Sequence, residues 1–307
     1  MSNEIVKYRN RMNEIPLRKF DNQEMNIFLT IASRFLEKGT GKKVFSLSKL
    51  QKLSKFPERG ERFITRLRKT NRKLLSLTAE TDDGRFVDQF QPFNEFRIDR
   101  LKRNITISVN PKFKSLFNDL VSDFTRFALE QFTDLKSTYA KTMFRILKQY
   151  RTKGWVFMSL KHFRYMLAIP DSYQSCDINK RVFRPIKIEL SSLFKNLRIQ
   201  KFGQGKKVVV KGTNVKNIQI SFEKEGQNKN DFSSAKYDFN FQIANIKNNK
   251  FLTAKEKKSA EEIVNKKFAN RSKKAFPFNP NLKKRNIKKI NNQKAQQALN
   301  DYKKNDK

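Results

Sequence analysis

The sequence is poor in the residues that build disulfides, metal sites and catalytic triads. Its 307 residues include one cysteine, Cys176, and one histidine, His162. A single cysteine forms no internal disulfide, and a single histidine supplies neither a clustered metal site nor a Ser-His-Asp triad. The neighbouring carboxylates Asp82 and Asp83 lie in TDDG, a typical turn sequence. We therefore expect a protein that is not an enzyme and that needs no metal and no cofactor.

Acidic residues and long apolar runs are also scarce. Asp and Glu number 29 against 68 Lys and Arg, which gives a net charge of +39. Such an excess of one sign repels itself unless a polyanion compensates it, so the expected partner is nucleic acid. A lysine-rich codon bias is the alternative, but it would raise Lys alone. No run of about 18 apolar residues is present to span a membrane. The N-terminus MSNEIVKYRN lacks the apolar core of a signal peptide, so we expect a cytoplasmic protein that does not bind membranes.

The segment GERFITRLRKTNRKLL predicts a helix with two different sides. At about 100° per residue, its apolar residues fall within one third of the circumference and predict a core-facing side. Basic residues recur every three or four positions on the opposite side. This first basic stripe consists of Arg59, Arg62, Arg66, Lys69 and Lys73. It is either solvated or lies against a polyanion.

The same order of predicted elements occurs twice along the chain. Each half reads as a helix, a short strand, a helix, a basic helix and a β-hairpin. Ser46 and Pro57 align with Ser159 and Pro170 at a constant offset, and the apolar positions between them align at the same offset, which indicates duplication. This order predicts an α+β fold of two tandem winged helix-turn-helix domains, at residues 1–130 and 131–225.

The basic helix of the second half carries another polar stripe, and the hairpin after it carries lysines near its tip. Pro185 lies inside the helix, denies it one hydrogen bond and predicts a bend there. In a winged helix the basic helix enters a major groove while the hairpin reaches backbone phosphates. The hairpin lysines are Lys206, Lys207 and Lys211.

Beyond Glu225 the apolar periodicity fails. Residues 226–307 are rich in Lys and Asn, and we expect a basic, largely flexible C-terminal arm that holds DNA regardless of sequence. Thr253 followed by Glu256 predicts the start of one short helix within it. The alternative is that the segment around Glu261 to Phe268 docks on the second domain and contacts a helicase.

Residues 3–225 resemble the plasmid replication initiators that have two winged-helix domains and bind direct repeats (iterons) at an origin. The resemblance lies in LTIASRF, LKSTYAKTMFRILKQYRTKG, SLKHFRYMLAIP and NKRVFRPIKIELSS. It implies that the recognition helix of the second domain makes the main base contacts. Mapped by motif, those residues are Lys180, Arg181, Arg184, Lys187 and Ser191. The first domain is implied to add DNA contacts and, in dimers, the protein interface.

The resemblance also implies a function and partners. Monomers would bind repeats in double-stranded origin DNA, help to open A·T-rich duplex and recruit the host initiator and replicative helicase of a bacterium. Dimers, in equilibrium with monomers, would bind the protein's own promoter and repress its gene, which implies a role in plasmid copy control. A rolling-circle initiator is disfavoured because that enzyme usually needs a histidine pair. A winged-helix transcription repressor without initiator activity remains the alternative.

Overall fold

A computed structural model describes residues 4–14, 17, 20–35, 42–82, 84–111, 124–203, 215–226 and 239–275. Met1–Asn265 forms one compact unit, and the contacts discussed below lie within it. The second unit is Lys266–Lys307, of which only the last turns of a helix are described.

The first domain contains the element order that the sequence predicts, together with further elements. Its elements are β1 (Ile5–Arg9), α1 (Asn22–Phe35), β2 (Lys43–Ser46), α2 (Leu47–Leu53), α3 (Gly60–Leu75), β3 (Ala79–Asp82), β4 (Val87–Phe90), β5 (Phe93–Asp99), β6 (Asn104–Val109), β7 (Phe124–Ala128) and α4 (Leu129–Thr133). The further elements are the hairpin β3–β4, the antiparallel pair β1 and β7, and the short helix α4. Strands β2, β6 and β5 form a three-stranded antiparallel sheet in that order.

The second domain repeats this arrangement. Its elements are α5 (Thr138–Gln149), β8 (Trp155–Ser159), α6 (Leu160–Leu167), α7 (Ser175–Asp177), a π-helical turn (Ile178–Phe183), α8 (Arg184–Leu190), β9 (Arg198–Phe202) and β10 (Asn217–Ser221). The sheet order is β8, β10, β9. In both sheets the short first strand pairs with the last, so the predicted duplication is confirmed at the level of topology. The aligned serines also occupy equal places, because Ser46 ends β2 and Ser159 ends β8.

Apolar residues of both halves meet in one core. Phe28 of α1 and Phe93 of β5 pack edge to face, with ring centroids 6.3 Å apart. Phe144 of α5 packs against Phe127 at 5.0 Å and against Phe194 at 5.8 Å. Helix α5 therefore contacts the sheet that contains the N-terminal strand as well as the interior of the second domain, which places it between the two halves.

Three cations of α5 are buried and bind different parts of the chain. Lys141 Nζ donates to Asn26 Oδ1 at 2.5 Å and to the Phe132 carbonyl at 2.7 Å. Arg145 Nε donates to the Tyr8 hydroxyl at 3.2 Å. Lys148 Nζ lies 3.3 Å from Glu225 Oε1. Each buried charge has polar partners, as burial requires, and together they fix α5 against the first domain and the end of the second.

The segment after Glu225, which we expect to be a largely flexible arm, contains two helices in the part of it that the structure describes. Phe239–Lys247 forms helix α9 and Ala254–Ala275 forms helix α10. Four apolar side chains of these helices and the turn between them are buried, namely Ile246, Leu252, Ala260 and Val264, whereas Phe241 and Phe251 are exposed. Asn245 and Asn249 donate to the carbonyls of Ser192 and Leu197 at 3.0 and 3.2 Å. Docking on the second domain supplies the burial that the segment lacks by itself. Helix α10 begins after Thr253, as the sequence predicts.

Candidate nucleic-acid interface

Helix α3 presents the basic stripe of the first domain, but its five members differ in availability. Arg59, Arg62 and Lys69 are exposed. The opposite side of the helix is buried through Phe63, Leu67 and Leu74, as the periodicity predicts. The three exposed cations therefore lie on a side that is free of core contacts and is open to a polyanion.

The other two members of the stripe bind carboxylates at the start of α1. Arg66 forms an ion pair with Asp21, and Lys73 Nζ lies 2.5 Å from Glu24 Oε2. Glu24 is fully buried, so Lys73 compensates a charge that would otherwise be costly to bury. Arg66 and Lys73 thus hold α3 against α1, a role that helical spacing alone does not reveal.

The turn between β5 and β6 adds basic residues that sequence reasoning did not select. Arg100, Lys102 and Arg103 are exposed in this turn, as is Leu101. Asp99 Oδ1 accepts from the Lys102 backbone N–H at 2.8 Å and shapes the turn. The sequence signal was the RLKRN turn itself, since the hairpin of a winged helix is the element that approaches phosphates.

Arg68 and Arg72 are further exposed cations of α3 outside the predicted stripe. They line an open groove with Arg100 and the apolar side chains of Phe96 and Ile98. Side chains three or four residues apart share a helix face, so Arg68 and Arg72 lie together on the side of α3 that is next to β5. The basic surface of this domain is therefore wider than one stripe.

The basic helix of the second domain departs from regular α geometry next to Pro185, where the sequence predicts a bend. α7 passes into a π-helical turn at Ile178–Phe183, and α8 resumes with Pro185 in its first turn. Proline lacks an N–H and its ring clashes with the carbonyl four residues earlier, so it is tolerated in the first turn of α8, where the N–H would have no helical partner. We call Ser175–Leu190 the recognition segment. Val182, Ile186 and Leu190 of this segment are fully buried.

The residues predicted to read bases from this segment fall into two groups. Lys180, Arg181 and Arg184 are exposed. Arg181 lies 3.4 Å from Asp177 and stacks over the Tyr173 ring at 5.3 Å, so its guanidinium has a defined position at the surface. These three side chains, which lie in the π turn and at the start of α8, are therefore accessible to DNA.

The second group faces the protein. Lys187 Nζ lies 3.3 Å from Glu256 Oε1 of α10. Ser191 is fully buried, which corrects its assignment as a DNA contact because a buried hydroxyl cannot reach a base edge. The end of the recognition segment is therefore directed toward the C-terminal helices. Lys206, Lys207 and Lys211 lie outside the described residues.

Glu189 anchors the recognition segment to α5. Its carboxylate accepts from the backbone N–H groups of Lys136 and Ser137 at 2.7 and 3.0 Å. Burial raises the pKa of Glu189, and these backbone hydrogen bonds and nearby Lys141 oppose that rise. The carboxylate lies at the N-terminal end of α5, where a negative charge is favoured by the exposed N–H groups. This contact fixes the orientation of α8 relative to the core.

This arrangement defines a class of protein, the tandem winged-helix proteins, with exposed Lys and Arg on the third helical element of each domain. Residues 5–148 match the family described as "Initiator Replication protein, WH1", and residues 159–222 match "Initiator Rep protein, WH2". The chain belongs to this family of replication initiators, whose winged-helix domains bind DNA.

Two known proteins illustrate the relationship. A "Probable replication protein rep" of Bifidobacterium longum (strain NCC 2705) is 37% identical over 205 residues, which cover 66% of this chain and 69% of that protein. The structure titled "Crystal structure of Pi initiator protein in complex with iteron DNA" has the same fold, with a TM-score of 0.57 at 10% identity over 74% of this chain and 100% of that one. Among the residues that the structure describes, no helix is long and apolar enough to cross a membrane.

Proposed function

We propose that this protein initiates plasmid replication by binding direct repeats in double-stranded origin DNA, with one winged-helix domain at residues 1–130 and the other at 131–225. The observation that carries the proposal is the duplicated fold with exposed cations on both third helical elements. The proposed contacts are Arg59, Arg62 and Lys69 in the first domain and Lys180, Arg181 and Arg184 in the second. The Pi initiator, which has the same fold, was crystallised with iteron DNA, and this supports repeats as the target.

Each proposed contact has a physical reason. A helix fits the major groove, and Arg binds the two acceptors of guanine or a phosphate with its planar fork. The basic turn at Arg100 to Arg103 is suited to backbone phosphates, which position a protein without specifying sequence. Lys206, Lys207 and Lys211 would serve the same purpose in the second domain. Net charge of +39 supports strong electrostatic attraction of DNA.

We further propose that the bound protein distorts adjacent A·T-rich duplex, recruits the host initiator and replicative helicase in the cytoplasm, and represses its own gene at its promoter. A monomer–dimer equilibrium would separate initiation from repression. The protein would act without catalysis of its own and without a cofactor.

A footprint of the purified full-length protein on the DNA upstream of its own gene tests the proposal. Protection of tandem direct repeats is the expected result, and a lone protected palindrome would identify a dedicated repressor instead. In a second arm, supercoiled origin DNA is incubated with the protein and magnesium but without host proteins. A site-specific nick or a covalent tyrosine adduct would contradict initiation without catalysis.

A further inference from the structure

An ion pair joins the recognition segment to the C-terminal helix that lies outside both matched regions. Lys187 Nζ and Glu256 Oε1 are 3.3 Å apart, and their side chains are 27% and 16% exposed. Glu256 is also part of a capping box, since it accepts from the Thr253 backbone N–H at 2.9 Å while its own N–H donates to Thr253 Oγ1 at 3.3 Å. The cap fixes the carboxylate in place, so the pair is held by the start of α10.

The charge of Glu256 is well supported by its surroundings. Burial alone would raise the pKa of this carboxyl, but the backbone hydrogen bond from Thr253 and the charge of Lys187 outweigh burial and leave the pKa below its ordinary value. Glu256 is thus ionised at neutral pH. A carboxylate at this point repels phosphate and attracts the ammonium of Lys187.

If the Glu256 carboxylate were neutral, the Lys187 ammonium could bind a DNA phosphate instead. It lies three residues after the exposed Arg184, on an adjacent turn of the same helix. Lys201 of β9 flanks the same segment, since its Nζ donates to Asn179 Oδ1 at 2.5 Å and lies 5.3 Å from the centroid of the Phe183 ring. A free Lys187 ammonium next to the exposed Arg184 would add one positive charge that a DNA phosphate could neutralise.

We propose that Glu256 limits sequence-independent DNA binding by holding Lys187 in an ion pair beside the recognition segment. Lys180, Arg181 and Arg184 then face DNA without an additional lysine that binds any phosphate. The helix α10 therefore acts as a specificity determinant of the DNA-binding surface. This inference rests on the proposed function, because it assumes that the recognition segment faces DNA.

The size of the effect follows from counterion release. One added phosphate contact steepens the dependence of log K on log salt concentration by about 0.9. If the affinities with and without this contact are equal at 1 M salt, the contact therefore tightens binding about eightfold at 0.1 M salt. Glu256→Gln should therefore bind random-sequence duplex about eightfold more tightly at 0.1 M salt, with the steeper slope. Gln preserves the capping box, so the helix start remains intact.

The experiment measures binding of random-sequence duplex across a salt series for full-length protein carrying Glu256→Gln, Lys187→Gln or both, with melting curves for each. Lys187→Gln should cost about eightfold more in the Glu256→Gln background than in the parent, because only there is the ammonium free to contact phosphate. Glu262→Gln is the matched control. Glu262 is exposed on the same helix, six residues or about 9 Å further along its axis, so the variant loses the same charge away from Lys187.

Three results would overturn the inference: no gain with Glu256→Gln, an equal gain with Glu262→Gln, or a gain that persists when Lys187 is also replaced. The last two would assign the effect to general charge or to loosening of α10. Protection of direct repeats by the parent is measured in the same preparation. Absent protection would count against the proposed function, whereas unchanged random binding with the repeats protected would count against this inference alone.

Discussion

Replacing Lys141 should change how the stability of this protein depends on pH. Lys141 is fully buried in α5, between Asn26 of the first domain and the Phe132 carbonyl. Burial lowers its pKa from 10.5 to about 7, while Glu189 and Asp134 oppose that shift and Lys55 adds to it. Because the folded chain binds this proton more weakly than the unfolded chain, protonation favours unfolding. The penalty is fully present below about pH 7 and disappears as the pH rises toward 10.5.

The magnitude follows from linkage. Each pH unit between the two pKa values is worth about 1.4 kcal/mol, so the free energy of unfolding should rise by about 2 kcal/mol between pH 7 and pH 9 from this group. Lys141→Met should remove that rise. The variant also leaves Asn26 Oδ1 and the Phe132 carbonyl without this donor, at about 1–3 kcal/mol each. That cost shifts the whole curve and does not alter its slope.

Urea unfolding of the parent and of Lys141→Met at pH 7, 8 and 9 measures the effect. The difference between the two curves isolates Lys141 from other titrating groups. Lys136→Met is the control, since it removes an exposed lysine close to the start of the same helix. If Lys141→Met and the parent show parallel pH profiles, the ammonium remains charged in the folded protein at pH 9 and the reasoning from burial fails.

Three further predictions concern DNA reading, the C-terminal helices and a turn. Arg184→Ala should cost about 1–3 kcal/mol in cognate binding and relax preference at one base position, measured by competition with single-site repeat variants; a uniform loss on all sequences would indicate a phosphate contact. A chain ending at Gly226 should melt at lower temperature by calorimetry, because it lacks four buried apolar side chains of α9, α10 and the turn between them; an unchanged melting temperature would contradict docking. Gly154→Ala should destabilise more than Gly60→Ala in urea, since both have positive φ but only the former places a Cβ 2.9 Å from the Phe222 carbonyl oxygen; equal losses would argue against that contact.

Much of the fold could be predicted from sequence because its signals are local. The sides of α3 follow from helical periodicity, and the β5–β6 hairpin follows from alternation across a basic turn. The duplication could be predicted because Ser46 and Pro57 of the first half match Ser159 and Pro170 of the second half at one constant offset. Pro185 predicts an irregularity in the recognition segment, because the hydrogen bond that proline cannot make lies within one turn of the same helix.

Contacts between distant residues decided the rest. Strand β1 pairs with β7 across more than a hundred residues, which no local pattern indicates. Helical spacing shows which cations share a side of α3 but not that Asp21 and Glu24 bind two of them. Likewise, the polar stripe of the recognition segment includes a lysine whose partner belongs to α10, and four apolar residues of α9, α10 and the turn between them are buried only by docking. The sequence by itself determined the elements and the charge that they carry. Tertiary packing decided which charges are available to DNA, because burial and ion pairing depend on neighbours that are remote along the chain.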